Sequence, residues 1–267
     1  MRGAERGRGQ SDNHEGIIGV PDDAPVGEGW AAWAGLGDPV IEIALTPNRG
    51  DCAGVRGIAR DLAATEIGTL KPWPHQPVPG QFNSPLTWQR DLGTHGDACP
   101  QVVGRAFRGI VNRPSPAWLQ DRLRAIGLRP ISALVDITNF VTFDLGRPLH
   151  VFDMAKVTGD RLTMRFARDG EEIDALDGRS YTLDSSMTVI ADAARILAIG
   201  GVMGGLHSGC TEETTDGFVE SALFDPIRTA ATGRKLGIES DARYRFERGV
   251  DRASAQWGAE VAAKLIL

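Results

Sequence analysis

The stretch 136-DITNFVTFDLGRPLHVFD-153 decides how this sequence is read. Ile137, Phe140, Val141 and Leu145 recur at helical spacing, and Gly146 with Pro148 ends the helix. Thr138, Asn139 and Thr142 share its opposite side. His150 follows between Leu149 and Val151, where a new strand begins. Across the chain, helices and strands are mixed without a regular strand–helix–strand alternation, which favours an α+β fold. On the residues alone, His150 is either a core histidine satisfied by a backbone carbonyl or a site residue.

Working outward, QVVGRAFRGIV (101–111) reads as a strand. PAWLQDRLRAIG (116–127) reads as a helix with Pro at its start, Gly at its end, and Leu119, Leu123 and Ile126 pointing inward. Further back, VIEIALT (40–46) alternates like a strand. CAGVRGIARDLAATEIG (52–68) is helical, with Val55, Ile58, Ala59, Leu62 and Ala63 on one face and Gly68 as its stop. Residues 1–37 lack any sustained period and read as a tail. KPWPHQPVPG (71–80) is a Pro-rich connector.

Toward the C-terminus, residues 161–200 read as short strands joined at Asp169-Gly170 and Asp177-Gly178, both hairpin signals. GFVESALF (217–224) is another strand. Asp225-Pro226 opens a helix that Gly237 closes, and Val250, Ala253, Trp257, Val261 and Leu265 mark a last helix. The expected fold is α+β with mixed helices and mainly antiparallel strands: a layered domain with a β-sandwich-like core, plus a small N-terminal strand–helix module.

Bulk properties narrow the function. No stretch approaches the ~20 apolar residues of a membrane span, and the basic, polar start is not a secretory signal. Cys52, Cys99 and Cys210 are odd in number and far apart, which suits a reducing cytoplasm better than a disulfide framework or a metal site. A net charge of −6 argues against general nucleic-acid coating but permits a local basic patch. Three short matches fail on inspection. Arg49-Gly50-Asp51 is a turn, GLHSG (205–209) has its serine one place late for a nucleophile elbow, and GGVMGG (200–205) lacks the Lys of a phosphate loop.

Strand alternation puts Glu220 on the face of Phe218, Ala222 and Phe224. A glutamate there is either at an edge reaching water or an acid in an apolar pocket that binds a hydroxyl or ammonium group. The glycines around Met203 make a tight turn whose bare amides can approach a ligand. Arg234, Lys235, Arg243, Arg245 and Arg248 form a basic group that is either solvated surface or phosphate-contacting.

EIALTPNRGDCAGVRGIARDLAA (42–64), LVDITNFVTFDLGRPLHVFD (134–153), AIGGVMGG (198–205), FVESALFDP (218–226) and ESDARYRFERGVD (239–251) occur in the order found in the bacterial phenylalanyl-tRNA synthetase β subunit, which the chain resembles over about residues 38 to 267. The resemblance implies an internal piece of that subunit. Residues 1–37 would be the remnant of a tRNA-binding oligonucleotide-fold insert, 38–90 a small α+β module and 91–267 an editing domain that hydrolyses tyrosine from mischarged tRNA(Phe).

The resemblance also implies roles. His150, Thr138, Asn139 and Arg129 would act at the ester, and Glu220, Gly204, Ser240 and Ala242 would hold the tyrosyl group. It implies an α-subunit partner in an α2β2 assembly, tRNA(Phe) as ligand, a cytoplasmic setting and no membrane. No cofactor is expected in this chain; ATP and magnesium belong to the complete ligase. A non-catalytic module bracing the α subunit and a free-standing deacylase are the rival readings.

Overall fold

The computed structural model describes residues 22, 24–35, 37, 39–72 and 76–267. Most of the tail and part of the Pro-rich connector therefore lie outside the described residues. Along the chain the elements are α1 (Trp30–Trp33), α2 (Val55–Ala64), β1 (Thr87–Asp91), β2 (Gln101–Phe107), α3 (Ala117–Ala125), α4 (Ala133–Leu145), β3 (His150–Asp153), β4 (Arg161–Phe166), β5 (Glu172–Asp174), β6 (Ser180–Thr182), β7 (Thr188–Ala191), β8 (Ile196–Ile199), β9 (Met203–Gly204), β10 (Gly217–Leu223), α5 (Pro226–Leu236), α6 (Asp241–Phe246) and α7 (Ser254–Ile266).

The α4–β3 junction forms as the residues dictate. Gly146 takes the left-handed conformation (φ 67°) that ends α4, a geometry glycine adopts without a Cβ penalty. At the other end of α4, the buried Asp136 carboxylate accepts from Ser115 Oγ at 2.5 Å and Ile131 N at 2.8 Å, which fixes the helix against the preceding loop. In α5, Asp225 caps the start by accepting from Arg228 N at 2.7 Å, with Pro226 in the first turn.

Two sheets pack face to face. The smaller has the order β2-β10-β3, all antiparallel; the larger has the order β1-β4-β7-β8-β9. The β1–β4 pair is parallel and the other neighbours are antiparallel. Alternation along β10 and β3 sorts their side chains. Phe218, Ala222 and Phe152 join Leu162, Met164, Ile190 and Leu197 in the layer between the sheets. Val219 and Val151 join Leu119, Leu123, Leu134, Ile137, Ala262 and Ala263 under α3, α4 and α7. The outer face of the larger sheet is covered by Ile173, Leu183 and Ile238. The α+β, sandwich-like expectation holds.

Several local expectations are corrected. Residues 40–46 form no strand: none of the described strands pairs with them, and Val40, Ile41 and Ile43 are exposed. The helix around 52–68 exists as α2, but Val55 and Leu62 of its apolar face are exposed and Gly57 is the buried residue, set tightly on Asp51 and Cys52. Its reversal falls at Glu66 (φ 62°), ahead of Gly68. Asp177-Gly178 does join the β5–β6 hairpin, whereas Asp169-Gly170 does not join paired strands, because β4 pairs with β1 and β7. Ile126 points outward, since α3 has already ended. In α7 the buried residues are Ser254, Ala255, Gly258, Ala259, Ala262 and Ala263 rather than the large ones. Small side chains let this helix lie close on β10, β2 and α4.

Candidate active site

Glu220 and His150 are direct cross-strand partners on β10 and β3. Both project into the layer between the sheets, where His150 lies edge-on to Phe152 with ring centroids 4.5 Å apart. Opposite them the β8–β9 turn brings up Gly200 to Gly204. Gly201 has φ 72°, which permits this tight reversal, and Phe224 presses on it. Gly204 is required for a different reason: a Cβ there would lie 2.4 Å from His150 Cε1 and 2.9 Å from Leu176 Cδ1. The missing side chain leaves the imidazole its place.

These groups wall a cavity of about 70 Å³. Its lining includes His150, Glu220, Gly204, Ala242, Phe224 and Phe246. Whole-ligand pockets usually run to ~300–1,000 Å³, so this cavity suits one side-chain end, with the remainder of a ligand at its mouth.

Burial sets the charges. It pushes the Glu220 carboxyl up to about 7, against the Arg147 guanidinium and the Ala222 amide, which both favour the carboxylate. Burial also pushes the His150 imidazole down to about 4. His150 is therefore neutral at neutral pH, and its shielded Nε2 has no hydrogen-bond partner among the described residues. The site thus joins a neutral imidazole with a free acceptor or donor to a carboxyl poised near neutrality, in an apolar enclosure.

Of the residues expected from sequence, the structure brings together His150, Glu220, Gly204 and Ala242. Ser240 stands beside them and does not line the cavity. Its hydroxyl donates to Val202 O at 2.5 Å and accepts from Arg243 N at 3.1 Å, so it caps α6 and ties that helix to the β8–β9 turn. Thr138 is buried in α4 with its hydroxyl donating to Val135 O at 2.8 Å within its own helix. Asn139 is half-buried on the same helix, and Arg129 is exposed in the α3–α4 connection; neither lines the cavity. Sequence reasoning missed Arg147, the largest fully buried side chain, although it lies within the quoted stretch. No local signal marked it, because the room for its stem is made by Gly258 of α7.

Residues 98–267 match the family described as B3/4 domain. The chain belongs to the B3/4 domain family. It is similar to the phenylalanine–tRNA ligase β subunit of Rhodopseudomonas palustris, 58% identical over 257 residues, covering 96% of this chain and 32% of that protein. It is similar to the same subunit of Brucella abortus, 57% identical over 267 residues, covering 100% of this chain and 33% of that protein. A crystal structure of an N-terminal fragment of the phenylalanyl-tRNA synthetase β-subunit from Pyrococcus horikoshii matches with a TM-score of 0.39 and 13% identity, over 73% of this chain and 60% of that one. The chain spans about a third of the length of the curated relatives it matches.

Within this B3/4 domain the expected basic group divides into cations paired inside the fold and exposed ones. Arg245 is 5% exposed and its guanidinium serves the fold, bonding Ala53 O at 3.0 Å and Asp241 at 3.2 Å while stacking on Phe143. Arg243 pairs with Glu247 and Ile238 O, and Arg248 with Glu247 and the Tyr244 ring. Lys235 pairs with Asp184 at 2.6 Å but is exposed, and Arg234 is exposed.

Between α2 and Asp144 of α4, a larger groove of about 560 Å³ follows the apolar face of α2. It brings no imidazole or thiol together with its single carboxylate, Asp144. Asp51, Cys52 and Asp61 cluster at metal-binding spacing, yet Arg49 donates to both carboxylates and fills the charge balance there. No described helix is long and apolar enough to cross a membrane.

Proposed function

We propose that this chain carries the editing site of a phenylalanine–tRNA ligase β subunit and hydrolyses tyrosine wrongly attached to tRNA(Phe). The observation that carries this reading is the cross-strand pair of Glu220 and neutral His150 at one apolar cavity. Tyrosine differs from phenylalanine by one hydroxyl, which an apolar pocket rejects weakly and a hydrogen-bonding site reads strongly. The tyrosyl hydroxyl donates to the Glu220 carboxylate. Gly204 and Ala242 leave room for the aminoacyl group.

Hydrolysis needs no covalent enzyme intermediate. Water attacks the ester carbonyl, the bond to the ribose oxygen breaks, and that oxygen leaves with a proton as tyrosine is released. His150 Nε2, otherwise unpartnered, accepts a hydrogen bond from the attacking water and orients it. Thr138 and Asn139, on α4, support this region from behind, and Arg129 with the exposed Arg234 and Lys235 meets the tRNA backbone. Of the 38–90 segment, the part ahead of β1 forms a small module beside the editing domain, while β1 itself belongs to that domain's larger sheet. Ligation itself, with ATP and magnesium, belongs to an α-subunit partner in an α2β2 enzyme that works in the cytoplasm.

The test is hydrolysis of tyrosyl-tRNA(Phe) by the purified chain. Loss of activity in Glu220→Ala and in His150→Ala, with both variants folded, is expected. Full activity in either variant would remove that residue from the site, and no hydrolysis by the folded parent chain would assign the chain a bracing role instead.

A further inference from the structure

Arg147 stands out among the buried and half-buried arginines. Arg105, Arg165, Arg243, Arg245 and Arg248 each pair with a carboxylate. Arg147 is 0% exposed, and no carboxylate among the described residues lies within ion-pair distance of it. Its guanidinium donates to Ala222 O and to Ser254 Oγ at 3.3 Å and lies 5.6 Å from the Phe246 ring centroid, while its Nε has no partner. The fold also makes room for its stem: a Cβ on Gly258 of α7 would lie 2.7 Å from Arg147 Cγ. A buried, unpaired guanidinium is expensive, and such an arrangement needs a compensating charge nearby.

The charged groups around it single out one. Asp251, ahead of α7, is exposed to solvent, and the Cys99 thiol ahead of β2 is held un-ionised by burial. His150 on β3 is neutral. Glu220 on β10 is the one buried carboxyl that acts on Arg147, and each acts on the other. The two groups bracket a single residue: Arg147 bonds the Ala222 carbonyl, and the Ala222 amide faces the Glu220 carboxylate.

We propose that Arg147 is a positioning residue of the editing site, a buried cation fixed on Ala222, Ser254 and Phe246 that keeps the neighbouring Glu220 available as the ionised acceptor of the tyrosyl hydroxyl. This rests on the reading of Glu220 given above. Without the cation, a carboxyl enclosed in this apolar layer would stay protonated to about pH 8–9, the range reached by buried glutamates. It would then compete as a donor where an acceptor is needed.

The experiment compares the chain with Arg147→Met, which keeps the stem and removes the charge, and Arg147→Lys, which keeps the charge. Carboxyl-13C NMR of glutamate-labelled protein follows the Glu220 titration, assigned by its absence in Glu220→Gln. The expected result is a midpoint raised by about one unit or more in Arg147→Met and restored toward the parent value in Arg147→Lys. The pH profile of tyrosyl-tRNA hydrolysis should move the same way, with about a fivefold loss at pH 7 in Arg147→Met, the change in ionised fraction that one unit produces.

An unchanged Glu220 midpoint in both variants would overturn the proposal and leave Arg147 a packing residue. If Arg147→Met does not fold, the parent chain decides: a midpoint near 7 supports the cation's role, and one at about 8–9 removes it. A parent chain with no hydrolysis would count against the editing reading while leaving the comparison of midpoints intact.

Discussion

Replacing either member of the Glu220–His150 pair should expose a pH dependence that the parent chain conceals. Glu220 rises from 4.5 to about 7 on folding, so the stability it contributes is fully present below pH 4.5 and is lost as pH rises through 7. His150 falls from 6.5 to about 4, so its contribution is present above pH 6.5 and is lost as pH falls through 4. Each shift corresponds to about 3 kcal/mol, at 1.36 kcal/mol per unit. Between pH 4.5 and 6.5 the two slopes have opposite sign and similar size, so they cancel in the parent chain.

Glu220→Gln removes one slope. Relative to the parent it should gain nothing at pH 4.5 and about 3 kcal/mol at pH 7.5, or roughly 6–12 °C in Tm, while losing editing. His150→Gln should gain about as much near pH 4 and nothing at pH 7.5. Urea unfolding of the three proteins at matched pH values measures this, with other titrating groups cancelling in the differences. Parallel stability profiles for all three proteins would refute the assignment of a buried, near-neutral carboxyl beside a neutral imidazole.

Gly204→Ala should place a methyl against His150 Cε1 and Leu176 Cδ1, costing about 1–3 kcal/mol and shifting the His150 ring resonances; an unmoved imidazole would contradict the packing. Arg245→Met should destabilise by about 2 kcal/mol or more, because charged hydrogen bonds to Ala53 O and Asp241 are lost. Arg234→Met, at an exposed position, should stay within about 0.5 kcal/mol; equal effects in thermal unfolding would reverse these roles. Burial pushes the Cys99 and Cys210 thiols up to about 12 and raises that of Cys52. A thiol reagent at pH 8 should therefore label the native chain far more slowly than the unfolded one, and fast labelling of the native chain would show that these sites open.

The parts of the fold that could be read in the sequence are those fixed by local chemistry. Gly146, Asp225-Pro226 and Gly237 mark helix ends because each answers a backbone requirement within a few residues. The alternation of β10 placed Glu220 correctly because a strand buried on both sides still sorts its side chains by period two. What failed depends on distant partners. Residues 40–46 have strand periodicity but no neighbouring strand to bond among the described residues, and α7 buries its small residues because of what it packs against, not because of its own pattern.

At the site, the residues alone left His150 between a core and a site role and only the resemblance favoured the site; the structure adds its cross-strand partner and the Gly204 gap. Residue type could not separate the surface cations from Arg243, Arg245 and Arg248, whose partners are carbonyls, carboxylates and rings of their own fold. Arg147 was illegible for the same reason. Its burial follows from the hole left by Gly258, more than a hundred residues away in sequence.

The central claim is that Glu220 reads one hydroxyl. Single-turnover hydrolysis of tyrosyl-tRNA(Phe) and phenylalanyl-tRNA(Phe) by the chain and by Glu220→Gln measures it most directly. The expected result is a preference for tyrosine of orders of magnitude, as for sites that hydrogen-bond a substrate hydroxyl, collapsing in the variant through loss of the tyrosyl rate alone. The same tyrosine-to-phenylalanine ratio in both proteins would contradict it.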